Sequence, residues 1–306
     1  VFLFYDGNDL VGAMPLTRSR LPWRTLRSMG AGVSDYLHPL VRPRYEAAFV
    51  AAFLEHLDGS PSGDLLDLHQ IREGDPLLSA VPSSSLTAQA TCPVLDLPGT
   101  YGAYLATLSK SLRYDAQGLQ RERLRRLRAR LRFAETVEEA EQFLECFFRL
   151  HARRWLRRGL PGAFLFRGTR AMHRWFVTQA LRNDRLRLSV LEVEDQPIGA
   201  LYCMREERTY FFYQSGFDPR FAGLSPGSVL VAETIRRAIA EGATTFDFLR
   251  GDEPYKRRWR PQRSLTNWRI IKRLSSVLGA AGEAWNRAGE RVESNVRTRL
   301  EGRGLI

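Results

Sequence analysis

Cysteine is scarce in this 306-residue chain, and the three present are scattered. Cys92, Cys146 and Cys203 form no CxxC and no metal-ligand spacing, which excludes a disulfide framework and the common structural zinc sites. The five histidines, His38, His56, His69, His151 and His173, never fall into HxH or HExxH. Long apolar runs are missing too; none approaches the roughly 20 residues a helix needs to cross a bilayer. The opening Val1-Phe2-Leu3-Phe4-Tyr5 meets Asp6-Gly7-Asn8-Asp9 at once, unlike a secretion signal. The chain starts without Met and inside a hairpin pattern, so N-terminal sequence is expected to precede it. A cytoplasmic protein without a metal is the default reading. Negative charge is in deficit as well. Lys and Arg number 46 against 34 Asp and Glu, for a net +12 supplied mostly by arginine. This favours anionic partners: nucleic acid, a phosphate-bearing cofactor, an acidic glycan or a membrane surface.

What is present reads as α/β material. Apolar residues make up 44% and charged residues 26%, enough for one large core or two modest ones. Strands are expected at 1–5 and 10–16, a helix from about Arg44 to His56, and buried strands at Leu65-Leu66-Asp67-Leu68 and Cys92-Pro93-Val94-Leu95. Gly59-Ser60-Pro61-Ser62-Gly63 breaks the chain between them. From Tyr101 to Arg132 the pattern is helical and basic. Leu119, Leu124, Leu127 and Leu131 mark one face, and arginines crowd Arg121–Arg132, as a solvated connector or an anion-binding surface. Residues 137–158 predict a helix acidic at its start and basic at its end, matching the helix dipole. A helix at 168–183 follows, then strands at 186–193, 198–205 and 209–217, turning at Asp195-Gln196-Pro197 and Glu206-Glu207. A helix at 226–241 and strands at 245–249 and 265–272 complete the order. The first three of these strands can form an antiparallel meander. The helical crossover from Phe217 to Thr245 makes the strands it joins parallel.

The segment between Phe217 and that helix is the most informative one. In Asp218-Pro219-Arg220-Phe221-Ala222-Gly223-Leu224-Ser225-Pro226-Gly227-Ser228, Ser225 suits an N-cap and Pro226 the first helical position. Gly223 and Gly227 permit close backbone approach. Free N–H groups at the positive end of a helix, with Arg220 beside them, suit phosphate. Gly30-Ala31-Gly32 hints at a dinucleotide motif but lacks the third glycine and a following helix.

Arg220-x-x-Gly223-x-Ser225 resembles the (Arg/Gln)-x-x-Gly-x-(Gly/Ala) loop of GNAT acetyltransferases, with serine at the last place. Downstream, Phe246-Asp247-Phe248-Leu249-Arg250-Gly251-Asp252-Glu253-Pro254-Tyr255-Lys256-Arg257-Arg258-Trp259 resembles the hallmark of CelD-type acetyltransferases of cellulose and exopolysaccharide synthesis. These are GNAT-fold relatives of the FemAB transferases. Ser34-Asp35-Tyr36, Asp64–Leu68, Cys92–Pro98, His151-Ala152-Arg153-Arg154-Trp155 and Leu224–Gly227 agree with that family in order.

The resemblance implies a mixed-sheet GNAT-like acyl-CoA N-acyltransferase fold in two packed halves, the first degenerate or truncated. The expected division is a first half at 1–100, a basic helical connector at 101–136, a catalytic domain at 137–275 and a basic C-terminal helix or tail at 276–306. It also implies acetyl-CoA or another acyl-CoA as co-substrate. Phe217, Arg220, Gly223, Leu224, Ser225, Gly227 and Ser228 would hold the cofactor. Backbone N–H groups of a splayed strand at Tyr210–Gly216 would meet the thioester carbonyl.

Asp247, flanked by Phe246 and Phe248, is either a general base of raised pKa or a structural partner of Arg250 or Arg258. His151 is a base, a substrate contact or a packed histidine. Tyr255 and Lys256 parallel an aromatic–Lys feature of the FemAB relatives; the alternative is an edge strand. Asp35, Tyr213, Arg250 and Trp155 are expected substrate contacts. The acceptor would be a small molecule or glycan, with polysaccharide-synthesis machinery or the inner-membrane surface as partner. Aminoacyl-tRNA is the alternative donor, suited by the charge and the Arg121–Arg132 run. A FemAB-like enzyme and an inactive binding module are the competing readings. Leu274, Leu278, Ala281, Trp285, Ala288 and Val292 recur near helical spacing in a basic tail able to dock on the protein or a membrane.

Overall fold

A computed structural model describes residues 1–19, 22–59, 63–118, 122–156, 162, 164–274, 278–286 and 288–289. Its first strands are β1 (Phe2–Asp6), β2 (Asp9–Met14), β3 (Leu16–Arg18), β4 (Thr25–Ser28) and β5 (Leu40–Val41). Then come α1 (Glu46–Gly59), β6 (Leu65–Arg72), α2 (Pro76–Ser79) and β7 (Leu86–Asp96). Three short helices, α3 (Tyr101–Thr107), α4 (Lys110–Ala116) and α5 (Glu122–Arg126), lead to β8 (Arg130–Phe133). Helices α6 (Val137–Leu156) and α7 (Arg167–Arg182) precede β9 (Leu186–Val193), β10 (Gln196–Glu206) and β11 (Thr209–Phe217). The remaining elements are α8 (Pro226–Ala240), β12 (Thr245–Asp247), α9 (Pro254–Arg257) and β13 (Arg263–Arg273). No described helix is long and apolar enough to cross a membrane.

The elements fall into two compact units, one holding residues up to Thr91 together with those from Leu265, the other Cys92–Ser264. In the first unit β1, β2 and β5 form a small antiparallel sheet, and β3, β4, β6 and β13 lie in that order in a second. Strand β6 is buried on both faces, with its side chains alternating between them. Leu66 and Leu68 enter a core with Phe49, Phe53 and Leu57 of α1. Asp67, on the opposite face and fully buried, receives Arg27 and Arg269. A bulge at His69–Gln70, with Gln70 at φ 55, resets the alternation so that Ile71 returns to the core.

The second unit orders its strands β7-β12-β11-β10-β9-β8. β9, β10 and β11 make the expected antiparallel meander, and β11 pairs with β12 in parallel across the α8 crossover. Alternation along β10 divides the core into two layers. Ala200 and Tyr202 face Phe143, Phe147 and Val177 of α6 and α7. Ile198, Leu201 and Cys203 face Tyr104, Leu112, Leu230 and Ile235 of α3, α4 and α8.

Two expectations change. The helical stretch 101–132 breaks into three short helices, and its end is strand β8, paired with β9 through Arg130↔Glu192 to Phe133↔Ser189. The alternation of Leu131 and Phe133 with arginines is a strand pattern, so this segment lies within the second unit instead of bridging two domains. The turn between β9 and β10 is Glu194-Asp195, both at positive φ, and Gln196 already pairs with Val193. The 59–63 break, the arginines Arg121, Arg157 and Arg158, and most of the tail from 276 lie wholly or partly outside the described residues.

One ion cluster holds the far end of the second unit. Burial disfavours a charged Glu241, but hydrogen bonds from Arg187, Tyr210 and Arg237 outweigh it and bring its pKa down to about 2. Arg187 is itself buried, and without Glu241 it keeps only the exposed Asp184 as a carboxylate partner. The Glu241→Ala variant is expected to lose about 3 kcal/mol of stability in urea unfolding, and Glu241→Gln clearly less.

Candidate functional site

Strand β11 is where the second unit departs from a regular sheet. Its pairing with β12 runs only through Thr209↔Thr245, Tyr210↔Phe246 and Phe211↔Asp247. β10 continues beside β11 to Gly199↔Phe217. The two parallel strands therefore part after Phe211, and alternate N–H groups of the segment up to Phe217 point to the side β12 has left. A bulge sits at the fork: Cys203 pairs with Phe212 and Tyr202 with Gln214, so Tyr213 is the extra residue. The bulge turns Tyr213 toward α6 and α7, where its ring stands 5.3 Å from Tyr202 and 6.4 Å from Phe164. Gly216 lets α6 cross directly over the strand. A Cβ there would lie 2.6 Å from the backbone nitrogen of His151, so no side chain fits.

At the end of β11, Asp218 is 2% exposed. It accepts hydrogen bonds from the Arg220 backbone N–H at 3.0 Å and from the Arg220 guanidinium at 2.7 Å. Arg153, from the last turns of α6, donates to it at 2.9 Å. Two cations thus share one anion beside a 3-10 turn at Pro219–Leu224. Arg220, ahead of an opposing effect of burial, holds the Asp218 carboxyl below the usual carboxylate range, and Arg153 adds to this. Neither Asp218 nor Arg153 stood out in the sequence as a site residue. The signal was the Asp-Pro-Arg spacing, which lets a carboxylate cap its own turn.

The remaining cofactor candidates sit on the same loop. Pro226 is the first residue of α8 as expected, but Ser225 adopts φ 56, ψ 47 and makes no side-chain cap. It acts as a left-handed joint between the 3-10 turn and α8. Leu224 is buried and anchors the loop; Gly223 is exposed, while Gly227 and Ser228 are half-buried. Phe217 lies against Gly227, where an added Cβ would be 3.9 Å from its ring.

The expected catalytic residues come from three elements, α6, β12 and α9. Asp247 is buried at the fork, and its Oδ1 accepts from the Leu249 N–H at 2.8 Å, shaping the turn that puts Leu249 at φ 54. Tyr255 packs its ring 6.4 Å from Phe212. Lys256 is buried and donates to the carbonyls of Arg250 (2.7 Å) and Gly251 (3.0 Å), with Glu253 at 2.9 Å. It braces the 250–253 loop through α9, not through an edge strand. Arg250 is half-buried, held through its carbonyl by that brace.

His151 is buried among Phe147, Trp155 and Phe164, with ring centroids 4.8–5.8 Å away. Trp155 is half-buried beside it. His173, unremarked in the sequence, stands between Tyr202 and Tyr213, and burial pushes its pKa down to about 4. Asp35 belongs to the first unit, where its carbonyl accepts from Asn267 at 2.6 Å.

The stretch that carries this geometry, residues 112–257, matches the acetyltransferase (GNAT) domain family. The second unit has the GNAT fold and carries this transferase match. The chain as a whole is similar to the C-terminal (DUF2156) domain of an Agrobacterium fabrum protein described as a lysylphosphatidylglycerol synthetase. Identity is 13% and the TM-score 0.58, over 88% of this chain and 83% of that one. It is similar to FemX at 10% identity and TM-score 0.57, covering 86% of each chain. L-PGS from Bacillus licheniformis gives 14% and 0.54, over 87% of this chain and 82% of that one. At these identities the likeness establishes the mixed α/β GNAT fold. No curated protein matches the chain in sequence.

The Asp218 cluster makes a signed prediction. A carboxyl whose folded pKa is lowered adds stability above its ordinary pKa of about 3.9, and that stability is lost as pH falls through the lowered value. Wild type is expected to exceed Asp218→Asn by about 1 kcal/mol at pH 7, because both arginines are largely solvated. Urea midpoints measured from pH 7 down to pH 2 should show that gap closing only below pH 4.

Proposed function

We propose that the second unit moves an acyl group from acyl-CoA directly to an amine or hydroxyl acceptor, without a covalent enzyme intermediate. The parting of β11 from β12 at Phe211 carries this reading. It leaves a slot bounded by one strand's N–H groups that ends at the amino terminus of α8. The thioester carbonyl would lie along Phe212–Phe217, its developing oxyanion met by backbone N–H groups already in place. The pyrophosphate would rest on the Gly227 and Ser228 N–H groups, which no intrahelical bond uses. Left-handed Ser225 after a right-handed turn gives the concave backbone that favours anions, and Arg220, its side chain 66% exposed, adds charge.

In the transfer, the acceptor's nitrogen or oxygen bonds to the thioester carbon, its proton passes to a base, and the C–S bond breaks to release CoA thiolate. A thiol of pKa about 8.5 leaves without a strong acid. Asp247, last residue of the β12 pairing and at the closed end of the slot where the strands part, is assigned as that base. His151, enclosed by rings and by Gly162 and Gly216, is assigned to packing. A sugar hydroxyl or amine as acceptor, in exopolysaccharide synthesis, rests on the CelD-type resemblance alone.

A second reading keeps the fold and the slot but takes aminoacyl-tRNA as donor. It is favoured by the likeness to FemX and to a protein described as a lysylphosphatidylglycerol synthetase, and by the +12 charge.

Thermal unfolding separates the two. Acetyl-CoA at 100 times its Kd should stabilise the chain by about 2.7 kcal/mol, and Arg220→Ala with Ser228→Ala should reduce the shift. A shift with aminoacyl-tRNA and none with a panel of CoA thioesters would select the second reading. No shift with either would end both.

A further inference from the structure

Helix α7 presents an unusual outer face. Its inward residues, His173, Val177 and Ala180, are buried against the core. On the opposite side Met172 is 42% and Trp175 66% exposed. The two residues leading into the helix are more open still, Leu165 at 61% and Phe166 at 71%. Leu156, closing α6 three residues after Arg153, is 69% exposed. Single exposed apolar side chains are ordinary, but a tryptophan, a phenylalanine, a leucine and a methionine from one helix and its approach are not.

The charge carried by the helix itself has one sign. Helix α7 contains Arg167, Arg170, Arg174 and Arg182 and no carboxylate. Arg174 is paired with Glu145 at 2.7 Å, and Arg170 donates to the Phe164 carbonyl at 2.7 Å. Arg167 and Arg182 are exposed at the two ends of the face, and neither enters an ion pair among the described residues. At 100° per residue, Met172, Trp175 and Arg182 fall within one sector of about 80° on the helix, with Arg167 about 60° beyond it.

We propose that this face is a docking surface for an anionic lipid bilayer. Phe166, Met172 and Trp175 would enter the headgroup region, and Arg167 and Arg182 would meet lipid phosphates. Charge complementarity selects the occupant. An apolar centre rimmed by unpaired arginines fits acyl chains beneath phosphates, whereas a polyanion such as RNA needs the arginines and not the centre. The headgroup level is where a Trp ring, apolar with one N–H donor, gains most from such a boundary. The surface is independent of the acyl-transfer reading and is tested without any donor.

The measurement is co-sedimentation of the full chain with vesicles of phosphatidylglycerol and phosphatidylcholine in equal parts, against vesicles of phosphatidylcholine alone. The chain should pellet with the first and remain in solution with the second. Phe166→Ser with Trp175→Ser should lower the partition coefficient at least about tenfold, and Arg167→Ser with Arg182→Ser by at least about tenfold at low salt. All these side chains are exposed, so both variants should keep the wild-type melting temperature, which confirms that they fold. Equal partition of wild type and variants, no pelleting, or binding to tRNA that the aromatic variant leaves unchanged would overturn the proposal. So would a dimer in sedimentation velocity that the aromatic variant dissociates, since the face would then belong to a second copy.

Discussion

Asp218 is the residue on which the geometry of the second unit converges. It stands at the end of β11, and its carboxylate receives Arg153 from α6 and both the backbone and the side chain of Arg220 from the following turn. Three elements that would otherwise end independently are fixed to one buried anion. The desolvation of that anion is offset because its hydrogen bonds come from charged donors. The same contacts place Arg220 at the lip of the loop, leaving a net positive charge where two cations meet one carboxylate.

The slot beside β11 follows from features that reinforce one another. The bulge at Tyr213 removes the strand from a simple ladder, and Gly216 allows α6 to press on the backbone from the other face. With α6 on one side and the α8 crossover returning the chain to β12 on the other, β11 keeps β10 as its partner and lets β12 go. Left-handed Ser225 then aims the start of α8 back along the strand. Lys256 holds the 250–253 loop from beneath with its ammonium on two carbonyls. A lysine read as chemistry in the sequence therefore has a structural task in the fold.

Much of the fold was legible because its signals are periodic. The meander at 186–217, the crossover helix and the parallel partner at Thr245 all follow from alternation and length. Arg130–Phe133 escaped because arginine alternating with Leu and Phe over four residues is too short to outweigh a long helical, charge-rich run before it. The site was legible at its loop, where Gly, Pro and Ser mark a turn, and illegible at Asp218 and Arg153. Those two are 65 residues apart in the chain and meet only because α6 crosses β11 at Gly216. His173 was hidden for a like reason: nothing in its neighbours announces that Tyr202 and Tyr213 will flank it. Asp247 shows the opposite case. Its position between two phenylalanines was visible, yet its place at the fork depends on where β11 and β12 stop pairing.

In the proposed transfer, the backbone from Phe212 to Val229 seats the donor. Amide hydrogen exchange measured with and without acetyl-CoA tests it at the level of single peptides. Slowed exchange is expected in Phe212–Phe217 and at the start of α8, with little change in α1, β6 or the outer face of α7. Protection confined to other elements, or an exchange pattern unchanged at saturating acetyl-CoA, would contradict it.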